Sequence, residues 1–529
     1  MSVMRVDNSS KGKPFMKNYV KSTAVLCAFC AAALVARAEF PSSITETSIR
    51  NAAVQVFPEY LSVLSLPNDS MVSALDIQAN ANALDQLFQK RGFQTKQFNN
   101  NGKPLVLAQL PIDPKKSTIL FYIHFDGQPV IDSQWSQSSP WAPVLKKRGE
   151  DGKWRAVDMS ELMRVDFDPE LRVFARAAAD DKGPIFMFLA AIDLMKVQGL
   201  SSAVNIKVIL DSEEEVDSPG IAQAVEQNRD FLQAQALVIF DMASHPSGRP
   251  TAVFGNRGVQ KMSLTVYGPR APLHSGHYGN FIPNPAFHLV KLLASMKNEN
   301  GQVLIPGYYS TTHLSAEDLR VLDAVGDDEA ALKKRVGVAG TDSVASNYQR
   351  ALQYPSLNIR GLAAASVGAQ AANIIPREAI AELDIRTTAE ADSKYLVNLI
   401  EKHIEKQGFH IIDHEPTDEE RAKYPLLVRT GLGTPVQAAR QPVNSAVRKW
   451  VESAELSAFE SQGHKKPVLI RASGATVPTI EIVRPLSIPF VIVPTVNADN
   501  NQHTYDENLR MGHFLTGMRT MLGLLSTPY

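Results

Sequence analysis

Cysteine is almost missing from this chain. Only Cys27 and Cys30 occur, both upstream of Ala38. Beyond that point disulfides and thiol catalysis are excluded, and any bound metal has to rest on histidine and carboxylates. An excess of charge is missing too. Lysine and arginine number 54 against 55 acids, a formal net charge of −1, so nothing favours nucleic-acid binding. Long apolar runs are scarce. The Ala24–Val35 run falls short of the roughly 20 residues a bilayer span needs. Lys11, Lys13, Lys17 and Lys21 precede it and Ala36-Arg37-Ala38 follows. It reads as a secretory leader cleaved after Ala38 rather than as a membrane anchor. The expected location is the periplasm or the exterior, with no membrane association after cleavage.

What is present describes a globular chain of 529 residues, 44% hydrophobic and 21% charged, long enough for two or more domains. Helical periodicity marks Thr45–Val63, Met71–Gly92 and, most clearly, Lys182–Gln198, which Gly199 ends. Leu105–Leu110, Ser117–Phe125, Ala203–Leu210 and Ala236–Phe240 read as strands. Strands alternating with helices predict an α/β domain, its sheet mostly parallel with helices on both faces. Gly127–Leu171 reads as a long surface excursion. After Gly258 the pattern changes: Val259–Tyr267 and Ile380–Arg386 alternate like half-exposed strands, Pro285–Met296 and Ser393–Lys406 read as helices, and an irregular stretch runs to about Ala365. We expect a leader over 1–38, a catalytic domain split between 39–258 and 425–529, and a smaller inserted α+β domain over 259–424.

The chemistry sits at strand ends. His124 and Asp126 are two apart on a strand, hence on one face. They fit a metal ligand with a supporting carboxylate, or a buried histidine paired with a structural acid. Asp180-Asp181 opens the strongest helix. Either it caps that helix, or one carboxylate bridges two cations. Glu213-Glu214-Glu215 ends an apolar strand. Three acids there are a solvated turn, or a ligand beside a general base whose charge a cation offsets. Asp241 ends another strand, and His503 lies in an Asn-rich loop; each alone is unremarkable. Two imidazoles with several carboxylates suit zinc or a similar divalent ion.

The ordered set resembles the M20-type dinuclear metallopeptidases, the group of carnosinase, glutamate carboxypeptidase and desuccinylase. It comprises His124-x-Asp126, Arg176-Ala-Ala-Ala-Asp180-Asp181-Lys182-Gly183-Pro184, Glu214-Glu215, Asp241, Gly255-Asn-Arg-Gly258, Leu273-His274-Ser275-Gly276, Asn373-Ile-Ile-Pro376 and His503. The resemblance implies two divalent ions per subunit, with zinc favoured and manganese or cobalt as alternatives. Asp180 is the implied bridge, His124 and Asp241 complete one site, and Glu215 and His503 complete the other. Glu214 is the implied general base and Asp126 the support of His124. The bond after Asp180 is expected to be cis. His274 is implied to stabilise the oxyanion in a neighbouring subunit, and Asn373 and Arg386 to hold polar groups of the substrate. The inserted domain becomes a lid that also dimerises the chain.

Three departures from the family pattern stand out. Ala177 and Asp217 occupy positions where glycine is usual, and Arg471-Ala-Ser-Gly-Ala-Thr-Val-Pro478, which would bring Gly474 to the substrate, carries an extra residue. His245, His277 and His464 read as structural or surface residues. The implied reaction is hydrolysis of an amide in a dipeptide or short peptide with a free carboxylate. An N-acyl-amino-acid deacylase or desuccinylase uses the same residues, and a peptide-binding protein on the same scaffold is the non-enzymatic rival.

Overall fold

The computed structural model describes residues 39–529 apart from Asn101, Ser461, Gln462, His464 and Lys465. The expected leader and His464 lie outside the described residues. Eight strands make the main sheet, in the order Gln94–Asn100, Lys103–Gln109, Asn205–Asp211, Thr118–His124, Ala236–Ile239, Phe490–Ile492, Thr251–Val253, Val468–Ile470. The four middle members run parallel. Lys103–Gln109 and Thr251–Val253 flank them antiparallel. The sheet is therefore parallel at its centre and mixed toward its edges.

Both faces of this sheet are covered, which is why its central strands are nearly continuous apolar runs. Ile119, Phe121 and Ile123 face helices Glu46–Leu64, Lys182–Val197 and Met511–Ser526, while Leu120 and Tyr122 face helices Ile221–Gln227 and Thr479–Leu486. Helix Lys182–Val197 is buried on nearly every side, matching its unbroken apolar composition. Strand register then fixes the site. His124 lies opposite Asp211 and Tyr122 opposite Ile239. Asp241, two residues past Ile239, comes level with His124 at the carboxyl edge of the sheet, the usual place for function in such folds.

A second sheet of five strands runs in the order Ser356–Ala363, Glu378–Thr387, Gly258–Tyr267, Leu427–Leu432, His410–Ile412. Glu378–Thr387 alternates strictly between half-buried and buried positions. One face packs on helices Pro285–Met296 and Ser393–Lys406 in a separate core, which is what alternation implies.

Two segments are more ordered than their composition predicts. The 127–171 excursion contributes Val144–Arg148 and Trp154–Ala156 to a four-stranded sheet with Arg172–Phe174 and Asn508–Arg510, and it buries Leu145, Leu162 and Phe167. The stretch expected to be irregular holds three short helices, Ala316–Ala324, Glu329–Val336 and Tyr348–Ala351, capped by Ser315, Asp328 and Asn347. No helix among the described residues is long and apolar enough to cross a membrane.

Candidate metal centre

Two acid–histidine groups meet at the carboxyl edge of the main sheet. His124, Asp180 and Asp241 form one, and Asp180, Glu215 and His503 the other, with ligand atoms of each group within 4.8 Å of one another. Asp180 belongs to both. Its Oδ1 lies 3.0 Å from His124 Nε2, and its Oδ2 lies 3.0 Å from His503 Nε2. His503 Nε2 also lies 3.4 Å from Glu215 Oε2. Atoms bound to one tetrahedral cation at about 2.0–2.1 Å sit roughly 3.3 Å apart, close to these separations. Asp180 Oδ2 is buried, and despite its nearness to His503 it has no partner with hydrogen-bond geometry. An orphaned buried oxygen facing an imidazole nitrogen fits a shared cation better than a direct bond. The capping reading of this segment fails on geometry, because Asp181 occupies the N-cap of helix Lys182–Val197 without a side-chain cap bond.

The electrostatics agree. Burial pushes Glu215 up to about 8 and Asp241 up to about 6, and Asp180 adds to both shifts. Burial, then Asp241, raises Glu214 well above the carboxylate range. Burial also acts on Asp180, but contacts with His124 and His503 outweigh it and hold Asp180 well below that range. His503, whose side chain is half exposed, is raised to about 9 first of all by Asp180. Burial opposes charge on His124, yet Asp126 and Asp180 raise it well above the usual imidazole range. Without a cation, Glu214 and Glu215 hold protons near neutral pH that they lack in water. A divalent ion at each triad removes that conflict.

Three acids outside the triads shape them. Asp126 lies with Oδ1 3.3 Å from His124 Nδ1, without hydrogen-bond geometry. Its two oxygens accept the backbone N–H groups of Glu214 and Glu215, at 3.1 Å each, so it also anchors the Glu turn. Asp211 accepts from Tyr122 Oη at 2.8 Å and Ser218 Oγ at 2.6 Å, tying the far end of that turn to the sheet. Glu213 is drawn off to Lys103 at 2.5 Å. The Glu214 carboxyl accepts no hydrogen bond among the described residues.

A further acid outside the triads, Glu507, escapes a reading of the sequence. It is fully buried. Its Oε1 accepts from the N–H groups of Ala179 and Asp180, both at 2.9 Å, and its Oε2 from Arg176 Nη1 at 2.8 Å and Ala177 N at 3.0 Å. One carboxylate thus grips the whole loop that presents Asp180. The pairing of Arg172–Phe174 with Asn508–Arg510 places it there. The only sequence signal is its spacing, four residues past His503. The Asp180–Asp181 bond in this loop is cis, as expected. Ala177 and Asp217 both adopt left-handed backbone, with φ 60° and 67°, which accounts for glycine being usual at each. Gly183 is required by space, since a Cβ there would stand 2.4 Å from the Ala178 carbonyl oxygen.

The remaining predicted residues lie around this centre. Arg386 donates from Nη1 to Thr476 Oγ1 at 3.1 Å, joining the second sheet to the 471–478 loop. Gly474, in that loop, faces Leu352, 3.4 Å from where its Cβ would stand. Asn373 accepts the Ser275 N–H at 2.9 Å, and Leu273–His274 pairs with Ile374–Ile375. His274 and Asn373 are thus neighbours, both exposed, and neither bonds to the metal-ligand candidates of its own chain. His277 lies beside His274, the two rings tilted with centroids 4.6 Å apart. His245 is buried, bonded to Ser247 Oγ at 2.8 Å and Asp327 Oδ1 at 3.2 Å.

A carboxyl-edge centre with two triads sharing one carboxylate, beside a separate sheet domain, defines a scaffold for a dinuclear metal site. Comparison with known proteins shows what this arrangement is similar to. Residues 254–411 match the peptidase dimerisation domain of the M20 peptidases. The chain is 27% identical over 431 residues to a Cys-Gly metallodipeptidase of Schizosaccharomyces pombe, covering 79% of this chain and 81% of that one. It is 25% identical over 422 residues to the human Beta-Ala-His dipeptidase, covering 79% and 76%. The crystal structure of an M20 family metallo-carboxypeptidase from Sulfolobus solfataricus superposes with a TM-score of 0.71 at 24% identity, over 89% of this chain and 98% of that one. The resemblance read from the ordered motifs holds, and the fold is the M20 peptidase fold, with a catalytic and a dimerisation domain.

Proposed function

We propose that this protein is a dinuclear metallodipeptidase that hydrolyses the peptide bond of short peptides bearing a free carboxylate. The observation that carries this reading is Asp180 shared between two triads, with the unpartnered carboxylate of Glu214 beside them. The relatives named for Cys-Gly and Beta-Ala-His dipeptide hydrolysis favour dipeptides over N-acyl amino acids. His124 and Asp241 would hold one ion and Glu215 and His503 the other, with Asp180 as the carboxylate common to both groups. Zinc suits two imidazoles and three carboxylates.

Cations held there supply the Lewis acidity that makes water a nucleophile near neutral pH. The chain's own residues do the rest. Asp126 fixes the Glu turn so that Glu214 faces the triads. Glu214 takes the proton of the attacking water on its carboxylate and returns it to the leaving amine. Arg386 offers a planar fork to the substrate carboxylate, with Gly474 and Asn373 at the substrate's flanks. His274 of a second subunit completes the site by donating to the oxyanion. The leader over 1–38 directs the chain out of the cytoplasm.

Glu214→Gln tests the core of this reading. Metal content by elemental analysis should stay unchanged while kcat on dipeptides falls by about 100- to 10,000-fold. Parallel loss of metal would make Glu214 a ligand and remove it as the base.

A further inference from the structure

A large cavity opens beside the metal centre and is roofed by a segment that sequence periodicity does not reveal. The cavity measures about 870 Å³, within the range of sites that enclose a small-molecule ligand. Its floor comes from the catalytic unit through Met242, Val253 and Ile470, and its roof from Leu332, Tyr348 and Leu352. The lining as a whole is more apolar than polar, with Asp327, Asp328, Arg335 and Gln349 also on the roof side. Met242 directly follows Asp241, Gln502 directly precedes His503, and Gly474 also lines the wall. The cavity thus takes part of its lining from the immediate chain neighbours of two triad members.

The roof is pinned in place. Arg471 reaches from the catalytic unit to Asp318 Oδ1 at 2.7 Å and Gln353 Oε1 at 2.5 Å. Arg249 Nη2 donates to the Val325 carbonyl at 3.0 Å, and His245 meets Asp327 at 3.2 Å. Arg471 and His245 are buried, and such partners hold a wall in one position more firmly than exposed ones. The helices of 316–351 are thus a fixed wall in the same chain, and the space beneath them has a set size.

Arg386 is not part of this wall. On the hydrolase reading above, on which this inference rests, Arg386 holds the substrate carboxylate, so the carboxylate-bearing half of the substrate lies outside the cavity. We propose that the cavity receives the other half, and that it selects substrates whose residue on the amino side of the scissile bond is bulky and apolar. Glycine at that position leaves the apolar walls in contact with water, whereas leucine or phenylalanine removes apolar surface from water on both sides.

The test is a dipeptide series X-Gly, with X as glycine, alanine, leucine or phenylalanine, assayed with the metal-loaded full chain. We expect kcat/KM for Leu-Gly and Phe-Gly to exceed that for Gly-Gly by about tenfold or more. Ala331→Trp and Leu332→Trp fill the roof from helix Glu329–Val336, which carries none of the metal-ligand candidates. Each should lower kcat/KM for Phe-Gly by about tenfold or more relative to its effect on Gly-Gly. Equal rates across the series, or variants that slow all peptides alike, overturn the proposal. If no peptide is hydrolysed, the hydrolase reading fails and calorimetry still decides the cavity. Weaker binding of Phe-Gly to Ala331→Trp than to wild type retains it, and equal binding rejects it.

Discussion

At the scale of single residues, the centre depends on groups that never touch a metal. Glu507 shows how. A buried carboxylate accepting four bonds is among the stronger polar anchors a fold can contain, and here all four come from residues 176–180. Glu507→Gln keeps the shape but turns one acceptor oxygen into a donor facing N–H groups, and it leaves Arg176 without its counter-charge. We expect stability to fall by about 3 kcal/mol and metal affinity to fall by about 10- to 100-fold, read by chemical denaturation and by competition with a chelator. Lost stability at unchanged metal affinity would mean that Glu507 supports the fold alone. Sequence reading reaches His124, Asp180, Glu215 and Asp241 because each follows or adjoins an apolar run that fixes its depth. Glu507 has no such signal, since it sits in a polar loop and acquires its role from a strand pairing between distant segments.

At the scale of elements, the same division holds. The parallel strands and helix Lys182–Val197 are legible because burial on all sides demands unbroken apolar composition. The helices of 316–351 are not: they run for 9, 8 and 4 residues, too short for a periodicity to stand out, and their capping residues look like loop residues. Helix packing also hides a titration. Helix Ala446–Phe459 packs on Met511–Ser526 so closely that a Cβ on Gly523 would stand 2.8 Å from the Ala454 carbonyl. One turn of the first helix buries Glu455, whose two carboxyl oxygens have no hydrogen-bond partner. Burial, with Glu452 adding to it, pushes Glu455 up to about 8 from 4.5. Between those values the folded chain keeps a proton that the unfolded chain releases. Stability therefore declines as pH rises through that window, by up to about 1.4 kcal/mol per pH unit, and levels off above it. Glu455→Met preserves volume and removes the titration. Denaturation midpoints across pH 5 to 9 should show the variant more stable than wild type at the alkaline end, by a few kcal/mol, with a flatter profile. Identical slopes in the two proteins would show that Glu455 ionises as freely folded as unfolded.

At the scale of the whole molecule, the question is where His274 works. It is exposed and makes no bond to the metal-ligand candidates of its own chain, yet the residues around it are not those of an open surface. Phe281 is 83% exposed and Phe287 76% exposed. Phe287, Val290 and Ala294 follow one another along an uncovered side of helix Pro285–Met296. Strand Ser356–Ala363 forms an edge of the second sheet, with Ile359 and Leu362 exposed. Exposed aromatic side chains and a free strand edge are features a chain normally covers, and they fall within residues 254–411, the match to a dimerisation domain. A second copy placed there would cover them, and on the function proposed above its His274 would serve the other chain's metal centre. This arrangement gives a numerical expectation. Glu214→Gln and His274→Ala chains are each inactive as homodimers. Mixed in equal amounts and allowed to exchange, half the dimers pair one of each. If His274 acts across the dimer, every mixed dimer concentrates both lesions in one site and leaves the other intact. The mixture should then regain about a quarter of wild-type activity per chain, the share set by random pairing in a two-fold dimer. If His274 serves its own chain, every site in every dimer carries one lesion, and the mixture stays inactive even when native mass spectrometry shows that exchange is complete.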